Sequence, residues 1–445
     1  MKQSPSRREF LTLGAGAALY SLAGCAATGA GKRSAVQGRV RHVGVGAGGM
    51  GAADLKALAA HPEVDIVGLA DVDRGRLDAA LKLYPGARGY SDWREMFREL
   101  DGGFDSVSVS TPDHMHAPIS QAAMARSKHI YCQKPLTRTV AEARGLRQAA
   151  ERAGVVTQMG IQNHSASPYQ SALKLFSQGH TGPIHEVHVW TDRPAGWWPQ
   201  GVERPEGSDP IPADLDWDLW LGVAPERPYL KGQYHPFAWR GWLDFGTGAQ
   251  GDMACHLMDP AIWFLELGSP SSLRSDGPRP GSDTYPDWSR VHYEFPANRH
   301  TTRGPLQLTW HDGGRQAPRQ LLDDLGAGEV AKNACLFVGT EGALLANPYG
   351  PPKLFPEERF AEVAIPQVAG ANHWFQFIDA CLGKASCSAS FEYAAQLTEV
   401  ALLGNVALSF PHETLRWDAR GLRFPSHPEA EALLHPSYRP GWELG

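Results

Sequence analysis

The residues of this chain that can do chemistry together are a run of glycines, a carboxylate behind them, and a distant lysine, aspartate and histidine. Val40-Arg41-His42-Val43-Gly44-Val45 leads straight into Gly46-Ala47-Gly48-Gly49-Met50-Gly51, an apolar strand feeding a G-x-G-x-x-G turn. Asp71 follows Gly51 by 20 residues, at the end of a second strand-like run from Val64. This order is the fingerprint of a dinucleotide grip. Gly46 permits the tight turn, Gly48 lets backbone approach a pyrophosphate, and Gly51 lets helix and strand pack closely. The helix opening at Gly49 and Met50 points free N–H groups at the phosphates. Asp71 can accept hydrogen bonds from the adenosine ribose and repel a 2′-phosphate, which favours NAD. Arg74 and Arg76 beside it leave NADP open.

Further polar clusters fall at the ends of later strand-like runs, the carboxyl edge where open α/β sheets bind ligands. Ser110-Thr111-Pro112-Asp113-His114-Met115-His116 ends one run, Gln133-Lys134-Pro135 the next, and Gln162-Asn163-His164 the one after. Of these, Ser110, Thr111, Pro112, His116, Gln133, Lys134 and Gln162 are expected on the cofactor. Farther on, Asp252 and His256 are four apart on one helical face, with Asp259 close by. Oxidising a secondary alcohol removes a hydride from carbon and a proton from oxygen. His256 is of the right type to take the proton near neutral pH. Asp252 can stabilise the imidazolium or bond a neighbouring hydroxyl, and Lys134 can hold the alkoxide. The same types also fit a capping acid, a core histidine and a surface lysine.

The Thr-Pro-Asp-His-x-His turn (111–116), the Lys134-Pro135 pair and the Asp-x-x-x-His-x-x-Asp helix (252–259) resemble the Gfo/Idh/MocA family of oxidoreductases. The likeness runs over nearly all of the chain beyond its first residues. It implies Lys134, Asp252 and His256 as the catalytic set and a sugar-like substrate. It also implies a homo-oligomer, a dimer or tetramer. Segments 216–222 and 235–248 resemble an exported branch of that family. Where the family commonly has Glu-Lys-Pro, this chain has Gln133, which cannot ionise.

Eight tryptophans crowd the stretch from Trp190 to Trp263, and aromatic faces stack on the C–H faces of sugars. Trp198 and Trp242 are expected to touch substrate, with Tyr234, His235, Arg240, His164 and Asp259 reading its hydroxyls. A network that merely holds a long loop together is the competing expectation.

The alternation of strands and helices over residues 36–165 implies a doubly wound parallel Rossmann sheet. Residues 166–445 read as an α+β domain with a largely antiparallel, open-faced sheet, one helix over Asp252–Leu265, and C-terminal helices. Residues 1–35 read as signal and linker. Ser6-Arg7-Arg8-Glu9-Phe10-Leu11 is a twin-arginine pattern, and Leu22-Ala23-Gly24-Cys25 resembles a lipoprotein cleavage box. A periplasmic chain tied to the membrane only by a lipid on Cys25 is therefore expected. The net charge of −6 would become about −8 once residues 1–24 are removed. That balance argues against nucleic acid as a partner. The remaining five cysteines are widely spaced without C-x-x-C, so neither a disulfide framework nor a metal site is indicated.

Outside the cytoplasm little free NAD is available to reoxidise a released cofactor. A tightly held NAD that takes a hydride and returns it solves this. One such cycle gives glycoside hydrolysis through transient oxidation, as in NAD-dependent glycosidases resembling this chain. The other oxidises one sugar and reduces a second, as a sugar dehydrogenase or transhydrogenase like glucose-fructose oxidoreductase. A non-catalytic carbohydrate-binding lipoprotein is the third reading, hinted at by Gln133.

Overall fold

The computed structural model describes residues 35–442. The twin-arginine segment and Cys25 lie outside the described residues. Strands β1 (Val40–Val45), β2 (Val64–Ala70), β3 (Arg88–Tyr90), β4 (Ser106–Val109), β5 (His129–Gln133) and β6 (Thr157–Gly160) form a six-stranded sheet in the order β3-β2-β1-β4-β5-β6. Every pairing in it is parallel. The order reverses between β1 and β4, which opens a crevice at the carboxyl ends of the strands. The crossovers are α1 (Met50–Ala59), α2 (Arg74–Leu83), α3 (Trp93–Glu99), α4 (His116–Ala125) and α5 (Val140–Ala153). Three of these starts are written locally. Asp73 and Asp92 accept from the first-turn amides of α2 and α3, and Thr139 with Glu142 forms a capping box on α5.

The second sheet has eight strands: β7 (Ile184–Trp190), β8 (Ser272–Asp276), β9 (Arg290–Phe295), β10 (Leu306–His311), β11 (Ala334–Gly339), β12 (Ala343–Ala346), β13 (Lys353–Phe355) and β14 (Thr414–Arg416). Only β7 and β10 run parallel; the other neighbours are antiparallel. Along β9, Val291, Tyr293 and Phe295 are buried while Arg290, His292 and Glu294 face the other side, the alternation of a sheet with one covered face. Helices α6 (Ser167–Phe176), α7 (Trp217–Leu221), α8 (Gly248–Leu257), α9 (Asp259–Phe264), α10 (Arg319–Asp324), α11 (His373–Cys381) and α12 (Phe391–Leu408) complete the chain's main elements. The last two return to the first sheet: Phe377, Ile378 and Cys381 of α11 pack on Val40, Leu58, Val64 and Tyr131.

The helix expected over Asp252–Leu265 is two, α8 and α9, meeting at Met258. Pro260 has no N–H to give to the carbonyl of His256. Tyr169 Oη donates to that carbonyl instead, at 2.7 Å, and so fixes the turn that carries His256.

Candidate active site

The glycine turn is built by close approach. Gly46 has φ +88°, and a Cβ there would lie 2.5 Å from the Ser110 carbonyl oxygen; one at Gly51 would lie 2.1 Å from that of Gly46. The loops after β1 and β4 therefore touch, and α1 starts directly at the crevice. Asp71 is held by the amides of Ala47 (2.8 Å) and Asp73 (2.9 Å). Burial raises its pKa despite those two donors.

A cleft of about 550 Å³ opens here, lined by Gly46, Gly48, Gly49, Met50, Asp71, Ser110, Thr111, Pro112, Gln133, Lys134 and Gln162 from the first domain. His235, Arg240 and His256 line it from the second. The fit to a dinucleotide is a property of the backbone: Gly49 has open space where a Cβ would stand, beside the N-terminus of a ten-residue helix.

Lys134 Nζ donates to Asp252 Oδ1 at 2.8 Å and to the Asp252 carbonyl at 2.9 Å. Arg240 Nε donates to the same Oδ1 at 3.2 Å. Burial pushes the Asp252 carboxyl up, but Lys134 and Arg240 outweigh it and hold it at about 2. His256 has the opposite fate. Burial first, then the Lys134 ammonium, lowers its pKa to about 3, so its imidazole is neutral and, with the cleft as it stands, only weakly basic. Residues 118 and 122 positions apart in the sequence thus meet across one crevice.

Gln133 is braced rather than idle. Its Nε2 donates to both oxygens of Asp54 (3.1 and 2.9 Å), and its Oε1 accepts from the Lys134 amide (3.3 Å). Asp54, on α1, also accepts from Ser110 Oγ (2.8 Å) and Trp374 Nε1 (2.9 Å). Burial pushes its carboxyl up to about 6 against these donors. Sequence reasoning passed over Asp54, since an acid in a helix after the glycine turn reads as solvated surface. Asp113, in the run from Ser110 to His116, has a place that its spacing does not reveal. It is buried in the cleft wall, accepts from Thr247 Oγ1 at 2.7 Å, and is pushed by burial up to about 7.

Several expected contacts are not made. Gly51 acts through packing and does not line the cleft. His116 lies beneath it, with Nδ1 2.8 Å from the Pro135 carbonyl and Nε2 2.9 Å from that of Thr111. Both nitrogens can donate only when both carry protons. Burial opposes that charge, but the Cys132 sulfur and then the two carbonyls leave the pKa raised. His164 and Asp259, expected on substrate, are buried against each other at 3.0 Å, the His164 ring stacked 4.0 Å from Trp263. Tyr393 Oη also donates to Asp259. Tyr234 and Trp242 are fully buried in an aromatic cluster with Trp217, Trp220 and Phe245. Trp198 is buried, its Nε1 on Gln200 at 2.6 Å. Of the aromatic rings that line the cleft, Phe237 is exposed (41%), and outside the lining Trp197 (54% exposed) lies beside it with ring centroids 6.4 Å apart. Gln200 ties Trp198 inward, whereas the Trp197 ring lies under the Arg193 guanidinium at 3.9 Å.

A Rossmann domain with a glycine-turn crevice, closed by a second sheet domain that brings a carboxylate and an imidazole to a lysine, defines a two-domain nicotinamide-dinucleotide protein. A sequence profile described as "Oxidoreductase family, NAD-binding Rossmann fold" matches residues 40–161, and that family's C-terminal alpha/beta domain matches residues 194–300. The chain belongs to the Gfo/Idh/MocA oxidoreductase family. It is 26% identical over 175 residues to levoglucosan dehydrogenase of Pseudarthrobacter phenanthrenivorans, covering 39% of this chain and 36% of that one. Inositol 2-dehydrogenase of Salmonella paratyphi B is 28% identical over 147 residues, 32% of this chain and 43% of the relative. The alignments thus span less than half the length of either relative. WlbA dehydrogenase from Bordetella pertussis, solved with NADH and UDP-GlcNAcA, has the same fold at a TM-score of 0.61. It is 16% identical, over 86% of this chain and 98% of that one.

Proposed function

We propose that this chain oxidises a ring hydroxyl of a sugar or glycoside and reduces the ketone again within one turnover, so that the net reaction is glycoside hydrolysis. The observation that carries the oxidation is the Lys134–Asp252 ion pair at 2.8 Å with a neutral His256 in the same cleft as the glycine turn. Bound NAD would supply the acceptor and donor of hydride, held by the turn from Gly46 to Gly51 and by Asp71. His256 accepts the hydroxyl proton. Lys134 stabilises the developing alkoxide through its ammonium. Asp252, kept ionised by Lys134 and Arg240, fixes both cations and accepts from an adjacent sugar hydroxyl. Exposed Trp197 and Phe237 offer faces for the sugar or its aglycone.

Oxidation at C3 acidifies the C2–H. Loss of that proton expels the aglycone from C1, water adds at C1 as a proton returns to C2, and reduction at C3 restores the sugar. No redox equivalent leaves the enzyme. Support for the closed cycle comes from the twin-arginine pattern at residues 6–11. We infer from it a periplasmic enzyme, exported folded and anchored through Cys25. The relatives' names, levoglucosan and inositol 2-dehydrogenase, support a polyhydroxylated substrate. Purified enzyme incubated with nitrophenyl glycosides and no added nucleotide tests the reading. Aglycone release from both α- and β-glycosides is the expected result. Product only with a second sugar present would replace it by sugar–sugar transhydrogenation. Tight sugar binding with no chemistry would replace it by a carbohydrate-binding role.

A further inference from the structure

Residues 209–247 leave the second domain and cross the open side of the cleft. They carry a small core of their own: Trp217 and Trp220 stack with ring centroids 4.7 Å apart, and Trp220 meets Phe245 edge-on at 4.8 Å. This segment is fastened to the two loops of the first domain that flank the glycine turn. After β2, the Arg74 amide donates to the Asp214 carbonyl (2.7 Å) and the Asp216 amide to that of Val72 (2.9 Å), a short bridge between the chains. In the same place His235 Nε2 lies 2.8 Å from Asp73 Oδ2. After β4, the His114 amide donates to the Phe245 carbonyl (3.2 Å), and Thr247 Oγ1 to Asp113. Between these fastenings His235, Pro236, Phe237, Trp239 and Arg240 form the cleft's outer wall. Arg240 lies over the Phe237 and Trp239 rings (4.1 and 4.3 Å) and reaches Asp252.

We propose that residues 209–247 are a fixed roof that keeps the dinucleotide in the cleft from one turnover to the next, with His235 on Asp73 as the latch beside the β2 edge. The inference rests on the reading that the cleft holds a recycled NAD, and adds which contacts of this chain retain it. His235, expected on substrate, is thereby a cofactor-retaining residue. A roof latched on both sides of the glycine turn must part from both loops before a dinucleotide can leave, so its contacts slow release. The dissociation rate is the quantity they govern.

Enzyme loaded with NAD and freed of excess nucleotide is mixed with isotopically labelled NAD, and the mass of the protein-bound nucleotide is followed in time. Unlabelled nucleotide is expected to persist on the wild-type protein through many turnovers. His235→Ala is expected to speed exchange 10-fold or more, and His235→Gln, whose amide can still donate to Asp73, to restore most of the retention. His235 is the site of choice because Asp73 also caps α2; a melting curve shows that each variant is folded. Wild-type exchange within the mixing time, or a folded His235→Ala exchanging at the wild-type rate, would overturn the roof. Sugar oxidation measured in excess NAD separates the two proposals. Turnover with fast exchange removes the roof alone, and slow exchange without sugar chemistry removes the oxidation alone.

Discussion

The loops at the carboxyl edge of the first sheet and the roof that covers them face each other across one cleft, yet they are written in different ways. At the edge, each group sits at a strand end, so its place follows from spacing: Gly46, Asp71, Lys134 and Gln162 all line the cleft. In the roof, residue type is a poor guide. Tyr234 and Trp242 have the chemistry of sugar ligands but are fully buried, while Phe237 between them is exposed. A short aromatic segment far from either main core must build its own, and it uses its largest rings to do so. Regular sheet geometry turns spacing into position; an irregular loop does not.

The sharpest way to break this contrast is Trp242→Ala. If that ring is core, truncation costs about 3–5 kcal/mol of stability, read as a fall in melting temperature. Unchanged stability with weakened sugar binding would return Trp242 to the substrate. On the edge side, Lys134→Ala should keep the fold and lower turnover on the order of 10²-fold or more, measured as kcat at saturating glycoside. An unchanged kcat would remove Lys134 from the chemistry.

Gln133→Glu sharpens the comparison from beneath the edge, by setting a second carboxylate against Asp54. Asp54 already has a raised folded pKa of about 6. Groups raised in this way contribute stability below their unfolded pKa of about 4 and lose it as pH rises through the folded value. The variant should therefore lose stability relative to wild type by roughly 1–3 kcal/mol at pH 8 and much less at pH 4.5, as urea titrations at both values would show. An equal loss at both would mean that the amide is not bonded to Asp54. The smallest effect is expected at Trp197→Ala: stability within about ±0.5 kcal/mol of wild type, with KM for aryl glycosides raised. A large drop in melting temperature would show that ring to be structural.

Much of the fold was legible because periodicity and caps agree. The strands at 64–70, 290–295 and 334–339 fall where their apolar patterns place them. The misses are physical. Three-residue strands such as β3 and β14 are too short to show alternation, and Pro260 splits a helix that hydrophobic spacing continues. Within the site, Lys134 and His256 line one cleft from separate domains with Asp252 bonded to Lys134, and the motifs marked all three. Spacing could not reveal Asp54, whose partners Gln133 and Trp374 are 79 and 320 residues away. Nor could it show that His116 spends both ring nitrogens on carbonyls, or that His164 spends one on Asp259.

The most direct test is a single turnover without added nucleotide. Enzyme loaded with NAD and freed of excess nucleotide is mixed rapidly with a glycoside, and the near-ultraviolet absorbance of reduced nicotinamide is followed beside aglycone release. A rise that precedes release and then decays is expected in the wild-type enzyme, and is absent in Lys134→Ala. Aglycone release with no such transient, or with an unaltered one in Lys134→Ala, would contradict oxidation at this cleft.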